Sequence, residues 1–520
     1  MGQPLSTSAA EGGRDLAALT SWRSDWAGLR VAVFGVGVTG FSVADTLCEL
    51  GAEVLVVAGR ASEEHVAMLE VIGARLVLAD DVPDELRGFG AELAVVSPGY
   101  HPDHPLPAWA QAEGVPVWGD IELAWRVRDK VRAAEWIAVT GTNGKTTTTQ
   151  LTATMLVAGG LRAAPCGNIG VPVLDAVRDP QGFDVLVVEL SSYQLHWMQR
   201  NAGGEVAPLA AVCLNLADDH YDWHGSARGY RDAKAKVYAN TRVACVYNLA
   251  DEATRGMVED ADVQEGCRAI GFGLGVPGPS DLGVVEGILV DRAFLDDRRT
   301  SALELATLDD LADSGLTAPH AVQNVLAAAA LARAADVAPA RIRDAIRGFS
   351  MDHHRTELVI ERAGIRWVDD SKATNAHAAQ ASLAAFESVV WIAGGLLKGI
   401  DPDPLVARHA ARLRAAVLVG VDREALREAF RRHAPGVPVV EIAEAETDGV
   451  MPAAVRAAAS LALPGDVVLL APAAASMDQF TDYADRGRRF AAAARDLAGA
   501  GDGPAEHGGP DDDDPGSTPR

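Results

Sequence analysis

Short Val-rich runs alternate with longer Ala-rich stretches along most of the chain. An apolar run of strand length followed by a helical stretch, repeated many times, predicts parallel-sheet α/β domains. In the first block, a strand over Val31–Phe34, the turn Gly35-Val36-Gly37-Val38-Thr39-Gly40, a helix over Phe41–Leu50 and a strand over Glu53–Val57 form a βαβ unit. The second block opens on a strand over Trp136–Val139 and continues with strands over Asp184–Val188 and Ala210–Leu214. A third holds strands over Ile365–Val368, Val389–Ile392 and Val467–Leu470. The expected fold is α/β in three domains: a Rossmann-like N-terminal domain over 27–133, a central P-loop ATPase-like parallel-sheet domain over 134–350 and a Rossmann-like C-terminal domain over 351–498. Residues 1–26 and 499–520, the latter with Gly508-Gly509-Pro510 and the run Asp511–Asp514, are expected to be disordered.

Composition narrows the function classes. The formal net charge of −26 argues against a nucleic-acid or anionic-membrane surface, which would need clustered Lys and Arg. No apolar stretch is long enough to span a bilayer, and Met1-Gly2-Gln3-Pro4 does not open a secretion signal. Cys48, Cys166, Cys213, Cys245 and Cys267 are odd in number and lack C-x-x-C spacing, so neither a disulfide framework nor a zinc site is expected. A cytoplasmic monomer without membrane insertion is the expectation. Of 46 basic residues only Lys130, Lys145, Lys234, Lys236, Lys372 and Lys398 are lysines. Where arginine supplies the ordinary surface charge, a lysine is a candidate for work a guanidinium cannot do, as a compact phosphate-binding charge or a titratable amine.

Candidate chemistry sits where strands end. Thr140-Gly141-Thr142-Asn143-Gly144-Lys145-Thr146-Thr147 links a strand directly to a helix. In such a loop backbone N–H groups face phosphates, Lys145 neutralises the terminal ones and the Thr146 hydroxyl can ligate Mg2+. The loop is two residues shorter than the general eight-residue pattern. Glu189 ends the next apolar run, where a magnesium-binding carboxylate belongs. By spacing alone Asp218-Asp219-His220 can be a polar turn, and Lys234 reads as a solvated helix residue. The Gly35–Gly40 turn suits a diphosphate at a helix N-terminus. The acidic residue that a dinucleotide site places after the second strand is absent, because the chain reads Ala58-Gly59-Arg60 there.

Gly141 to Thr147, Gly167-Asn168-Ile169-Gly170, Glu189-Leu190-Ser191-Ser192-Tyr193-Gln194-Leu195, Asp219-His220 and Asp370-Ser371-Lys372-Ala373-Thr374-Asn375 together resemble the Mur ligase family, over roughly residues 27 to 498. Ser476 to Phe480 and the Asp370–Asn375 run resemble the member that adds D-glutamate. The resemblance implies that ATP phosphorylates the carboxylate of UDP-N-acetylmuramoyl-L-alanine and that the D-glutamate amine converts the acyl phosphate to an amide, in peptidoglycan precursor synthesis. Carboxylate activation of this kind asks the enzyme to position groups and neutralise a transferring phosphoryl. The resemblance further implies two Mg2+ ions, with Thr146 and Glu189 on one and His220 on the other, and a carbamylated Lys234. Catalytic work would fall to Lys145, Lys234, His220 and Glu189. Asn168, Asn324, Arg355, Asp370 and Lys372 match positions contacting nucleotide or phosphates; Thr374, Lys398, Ser476 and Tyr483 match positions around D-glutamate. For the uridine diphosphate it implies Val38, Thr39, Arg60, Ser97 and Gly99, although Ala58-Gly59-Arg60 replaces the family's Asp-Thr-Arg. Closure around the substrates is expected, to keep water from the acyl phosphate.

A sister ligase adding diaminopimelate or lysine would be expected to show Asp-Asn-Pro-Arg in the third block, which is missing. Folylpolyglutamate synthase would lack the long block before the phosphate loop. A non-catalytic nucleotide switch or an NAD-dependent regulator does not account for Lys234 and Lys398.

Overall fold

Nearly every Val-rich run forms a buried strand in the computed structural model, which describes residues 14–198, 205–312, 314–350, 353–397, 401–444 and 446–499. The chain divides into two compact units, residues 1–351 and 352–520. The first unit contains two sheets and the second one.

The first sheet comprises β1 (Arg30–Phe34), β2 (Glu53–Ala58), β3 (Arg75–Leu78), β4 (Leu93–Val96) and β5 (Val117–Gly119), in the order β3-β2-β1-β4-β5 and parallel throughout. Strand order reverses across β1, so the crevice at the carboxyl ends of β1 and β4 is the place where such sheets bind ligands. The helix Val38–Glu49 begins there, one residue after Gly37. It starts three residues earlier than the apolar pattern predicts, because the second half of the glycine turn is already helical. Gly40 tolerates no side chain, since a Cβ would overlap the Gly35 carbonyl oxygen.

The second sheet comprises β6 (Glu135–Thr140), β7 (Ala163–Gly167), β8 (Val185–Glu189), β9 (Ala210–Cys213), β10 (Ala244–Asn248), β11 (Arg268–Phe272), β12 (Asp281–Val285), β13 (Ile288–Asp291) and β14 (Leu303–Thr307). Their order is β14-β13-β12-β11-β10-β9-β6-β8-β7, with the last two chain segments β13 and β14 antiparallel to their neighbours. β6 lies between β8 and β9, a second reversal point, and the phosphate-type loop leaves its carboxyl end. Its central strands are packed on one face by the helices Lys145–Ala158 and Pro319–Ala334, the latter rich in buried alanine. On the other face a single apolar cluster runs from the first sheet into the second through Trp118, Trp125 and Trp136. Trp125 and Trp136 meet edge to face at 5.1 Å. That shared core is why two sheets make one compact unit.

The expected disorder up to residue 26 is corrected for residues 14–26. Leu19 and Trp26 are buried in the shared core. Asp129 accepts hydrogen bonds from Ser21 Oγ at 2.5 Å and from the Trp22 N–H at 2.6 Å, and the Lys130 ammonium lies 4.4 Å from the Trp22 ring centre. Composition misled because a few aromatic anchors outweigh a polar, small-residue background. Residues 1–13 and 500–520 lie outside the described residues, so the expectation for them stands apart.

In the second unit, β15 (Glu357–Arg362), β16 (Ile365–Asp369), β17 (Val389–Gly394), β18 (Leu413–Val419), β19 (Val439–Glu441) and β20 (Val467–Leu470) take the order β15-β16-β20-β17-β18-β19. Only β15 is antiparallel to its neighbour. The adjacent strands β16, β20 and β17 therefore deliver their three informative loops to one edge.

Candidate functional site

The loop Gly141–Gly144 runs from β6 into the helix Lys145–Ala158, whose first-turn N–H groups have no partner within the helix and carry its positive end. Gly144 adopts φ +83°, and a Cβ there would overlap the side-chain oxygen of Asn324. Asn324, buried on the helix Pro319–Ala334, is thus brought directly over the loop. Asn215 fixes the loop from the end of β9: its Oδ1 accepts from the Asn143 N–H at 2.9 Å and its Nδ2 donates to the Asn143 carbonyl at 3.1 Å. The Lys145 ammonium folds back to donate to the carbonyls of Gly141, at 3.0 Å, and Thr142, at 2.9 Å. Thr146 and Thr147 are buried on the first turn.

Glu189, at the carboxyl end of β8, is 1% exposed. Its Oε1 accepts from Asn168 Nδ2 at 2.9 Å, while Oε2 is buried with no hydrogen-bond partner. A buried carboxylate oxygen lacking a donor is costly unless a cation satisfies it. A magnesium ion at Glu189 would answer that deficit, and the buried Thr146 hydroxyl is an oxygen donor of the kind magnesium prefers, so the chemistry of these donors fits the metal.

Lys234 overturns the reading from spacing. Its helix, Ala227–Ala235, turns it inward; the residue is 2% exposed and its ammonium donates to the Gly141 carbonyl at 2.9 Å and to Thr140 Oγ1 at 3.3 Å. Burial, assisted by the charge of Lys145, pulls its pKa down from 10.5 to about 7. Lys145, Asp219 and Glu189 are all close enough to act on that charge. His220 takes φ +53°, an uncommon conformation for a non-glycine residue, and its Nδ1 lies 2.6 Å from the Tyr193 hydroxyl. With Nδ1 engaged by Tyr193, Nε2 is the atom a cation would take; Asp219 Oδ2 stands 3.5 Å from it. Lys145, Glu189, His220 and Lys234, which lie far apart in the sequence, thus gather around the ends of β6, β8 and β9.

Three contributors escaped the sequence reading. Tyr193 orients His220. Tyr230 packs its ring 4.9 Å from the Lys234 ammonium and shares a hydrogen bond with Thr142 Oγ1 at 3.0 Å. Asn215 holds the loop. Tyr193 stands inside the run from Glu189 to Leu195, but nothing local shows that it reaches His220, and no local pattern distinguishes Asn215 or Tyr230.

At the edge of the first sheet, Val38 and Thr39 open the helix after the glycine turn, Arg60 follows β2, and Ser97 and Gly99 follow β4. These five stand at the carboxyl ends of adjacent strands. Ser97 Oγ is buried without a partner, and a Cβ on Gly35 would come within 2.8 Å of it.

In the second unit, Asp370 is buried at the end of β16 and accepts from the Thr356 N–H at 3.1 Å and from the Ser382 hydroxyl. Burial raises its pKa to about 6. Arg355 precedes β15 in the same turn as Thr356, and the Lys372 ammonium lies 3.7 Å from the centre of the Tyr483 ring. Ser476 is buried in the loop after β20, and Thr374 follows β16. Lys398 lies outside the described residues. The sequence reading missed Arg486, whose buried guanidinium donates to Ser371 Oγ at 2.9 Å, the Ser371 carbonyl at 2.9 Å and the Ala474 carbonyl at 3.1 Å. It clasps the loop after β16 to the loop after β20.

Comparison with known proteins follows the same division. Residues 139–332 match the Mur ligase middle domain and residues 354–474 match the Mur ligase glutamate ligase domain. A protein named UDP-N-acetylmuramoylalanine–D-glutamate ligase from Leifsonia xyli subsp. xyli is 68% identical over 496 residues, covering 94% of this chain and 96% of that protein. One of the same name from Streptomyces avermitilis is 54% identical over 479 residues, covering 91% of this chain and 99% of its own. Among solved structures, the UDP-N-acetylmuramate-alanine ligase of Thermotoga maritima matches with a TM-score of 0.53 at 19% identity, covering 90% of this chain and 99% of that one. That last likeness concerns the fold.

Proposed function

The chain belongs to the Mur ligase family, and from that membership we propose that it joins D-glutamate to the L-alanine carboxylate of UDP-N-acetylmuramoyl-L-alanine, converting ATP to ADP and phosphate. The product serves peptidoglycan precursor synthesis. The family uses ATP and Mg2+, and the chain is a ligase of that chemistry. The observation that carries the reading at this site is the meeting of Lys145, Lys234 and the unsatisfied Glu189 oxygen at the mouth of the phosphate-type loop.

In this reading the loop N–H groups and the helix N-terminus bind the ATP phosphates, and Lys145 leaves its two carbonyl partners to neutralise the transferring phosphoryl. Asn324 and Asn143 steer the nucleotide. Magnesium, when bound at Thr146 and Glu189, supplies charge neutralisation on the phosphates, and a second ion would take His220 and Lys234. A carboxylate oxygen of the UDP substrate attacks the γ-phosphorus, the bond to the β-phosphate oxygen breaks, and the acyl phosphate forms; the amine of D-glutamate then displaces phosphate and loses a proton. Lys234 acts as a carbamate. Its amine, held near neutrality by burial, bonds to the carbon of CO2 and releases a proton, leaving an anion where an ammonium stood.

We assign residues 27–133 to the UDP moiety, 134–350 to ATP and 351–498 to the amino acid. Arg355, Asp370 and Lys372 would contact nucleotide or phosphates. Thr374, Ser476, Tyr483 and Lys398 would surround D-glutamate, with ammonium and hydroxyl groups suited to its side-chain carboxylate. No helix among the described residues is long and apolar enough to cross a membrane, and a cytoplasmic monomer accords with this reading. Phosphate release by purified protein given ATP, Mg2+ and UDP-N-acetylmuramoyl-L-alanine, with candidate amino acids tested one at a time, decides the substrate. Release that does not depend on D-glutamate refutes the assignment.

A further inference from the structure

Nucleotide-binding sheets of this order place a carboxylate at the end of the second strand, where it accepts hydrogen bonds from the nucleoside. Here β2 ends in Ala58 and continues as Gly59-Arg60, with no acid. The neighbouring strand supplies one. β3 runs parallel to β2 with Ala58 paired to Leu78, and the Ala79 N–H continues the ladder by donating to the Ala58 carbonyl at 2.9 Å. Asp80 therefore arrives beside Gly59, and a Cβ on Gly59 would overlap the Asp80 carboxylate. The absent side chain at 59 is the space that the Asp80 carboxylate fills.

The surroundings match a nucleoside cradle. Asp80 lies close enough to Tyr100, in the turn after β4, to act with burial in raising the phenol pKa. Tyr100 in turn borders Gly35 of the glycine turn, with a ring carbon 3.0 Å from where a Cβ on Gly35 would lie. The buried, unpartnered Ser97 hydroxyl lies against the same turn. An aromatic ring and a carboxylate thus stand beside the glycine turn at the positive end of the helix Val38–Glu49, with the Ser97 hydroxyl buried against the same turn.

We propose that Asp80 is a specificity-determining residue for the uridine moiety, accepting a hydrogen bond from an N–H or O–H of the nucleoside in place of the missing acid after β2. This rests on the assignment of the first sheet to the UDP moiety. Because Gly59 makes the room, the two positions work as a pair: an acid at 80 requires a residue without a side chain at 59.

Calorimetric titration of the full-length protein with UDP, alongside the KM for the UDP-sugar substrate and the KM for ATP, tests this. Asp80→Ala is expected to weaken UDP binding about tenfold to a hundredfold, the range for a lost hydrogen bond to a charged group, and to leave the KM for ATP in place. Gly59→Ala, which displaces the carboxylate while keeping it, is expected to reproduce the loss. Probing with 2′-deoxy-UDP and N3-methyl-UDP identifies the donor: the analogue whose penalty disappears in Asp80→Ala lacks the partner of Asp80. Wild-type protein that binds UDP, with Asp80→Ala binding it equally well, overturns the inference and leaves the sheet assignment standing. Weakening of UDP and ATP alike also overturns it, as general damage. Wild-type protein that fails to bind UDP while its KM responds to the sugar portion refutes the sheet assignment itself and the inference with it.

Discussion

Replacing Lys234 by Met is expected to stabilise the protein while abolishing its activity. The ammonium is buried with only the Gly141 carbonyl and Thr140 Oγ1 as hydrogen-bond acceptors, and its pKa falls from 10.5 to about 7. At about 1.36 kcal/mol per pH unit, that fall corresponds to a penalty of up to about 5 kcal/mol on the charged form. Between those two pH values the unfolded chain keeps its proton and the folded chain has lost it. Since the unfolded state binds more protons there, wild-type stability rises as pH increases from about 7 to 10.5. Below pH 7 both states are charged and the full penalty applies; above 10.5 both are neutral and it vanishes. Met removes the ionisable group and keeps the unbranched apolar stem, and the Gly141 carbonyl retains Lys145 as a donor. In CO2-free buffer, urea unfolding should therefore show Lys234→Met more stable than wild type by about 2 to 5 kcal/mol at pH 7, with the gap closing toward pH 10.5. Bicarbonate should narrow the gap at pH 7 for the wild type alone, because a carbamate replaces the ammonium. A difference that stays flat across the window, or a mutant less stable at pH 7, would refute the account of this lysine as a strained, reactive amine.

Three other substitutions probe separate parts of the site. Gly144→Ala forces an L-residue to φ +83° and drives a methyl into Asn324; about 1 to 2 kcal/mol of backbone strain and about 1 to 3 of overpacking should lower stability in urea, and the double variant with Asn324→Ala should recover the second part only. Glu189→Gln keeps the shape but removes the negative charge and so holds a cation far less tightly, so phosphate release should fall at least about a hundredfold and require more Mg2+; unchanged Mg2+ dependence would contradict the metal assignment. Arg486→Met leaves Ser371 and the Ala474 carbonyl without their buried donor, and at about 1 to 3 kcal/mol per orphaned group the second unit should unfold at lower urea while the KM for D-glutamate rises and that for ATP does not.

What was legible in the sequence was local. Apolar runs such as Val31–Phe34, Val467–Leu470 and Trp136–Val139 became strands with their ends displaced by a residue or less, because burial on both faces leaves a parallel strand little choice. The glycine loop before Lys145 could be read because its chemistry is covalently contiguous. Contacts made by the fold could not. Lys234 looks solvated on its helix until the sheet closes over it, and Arg486 shows no sign of its role until two loops, one more than a hundred residues away, meet at it. The N-terminal segment was misread for the converse reason, since Trp22 and Trp26 are too few to alter composition yet enough to anchor it. Lysine scarcity bridges the two kinds of information. In a chain whose basic residues are mostly arginine, a lysine at a strand-end loop points to a requirement for a smaller or titratable cation, whereas Lys130 simply pairs with Glu49. Lys145 and Lys234, which meet at the Gly141 carbonyl, would answer that requirement in two different ways under the proposed function: the first as a point charge for the phosphates, the second as an amine whose burial prepares it to lose its proton.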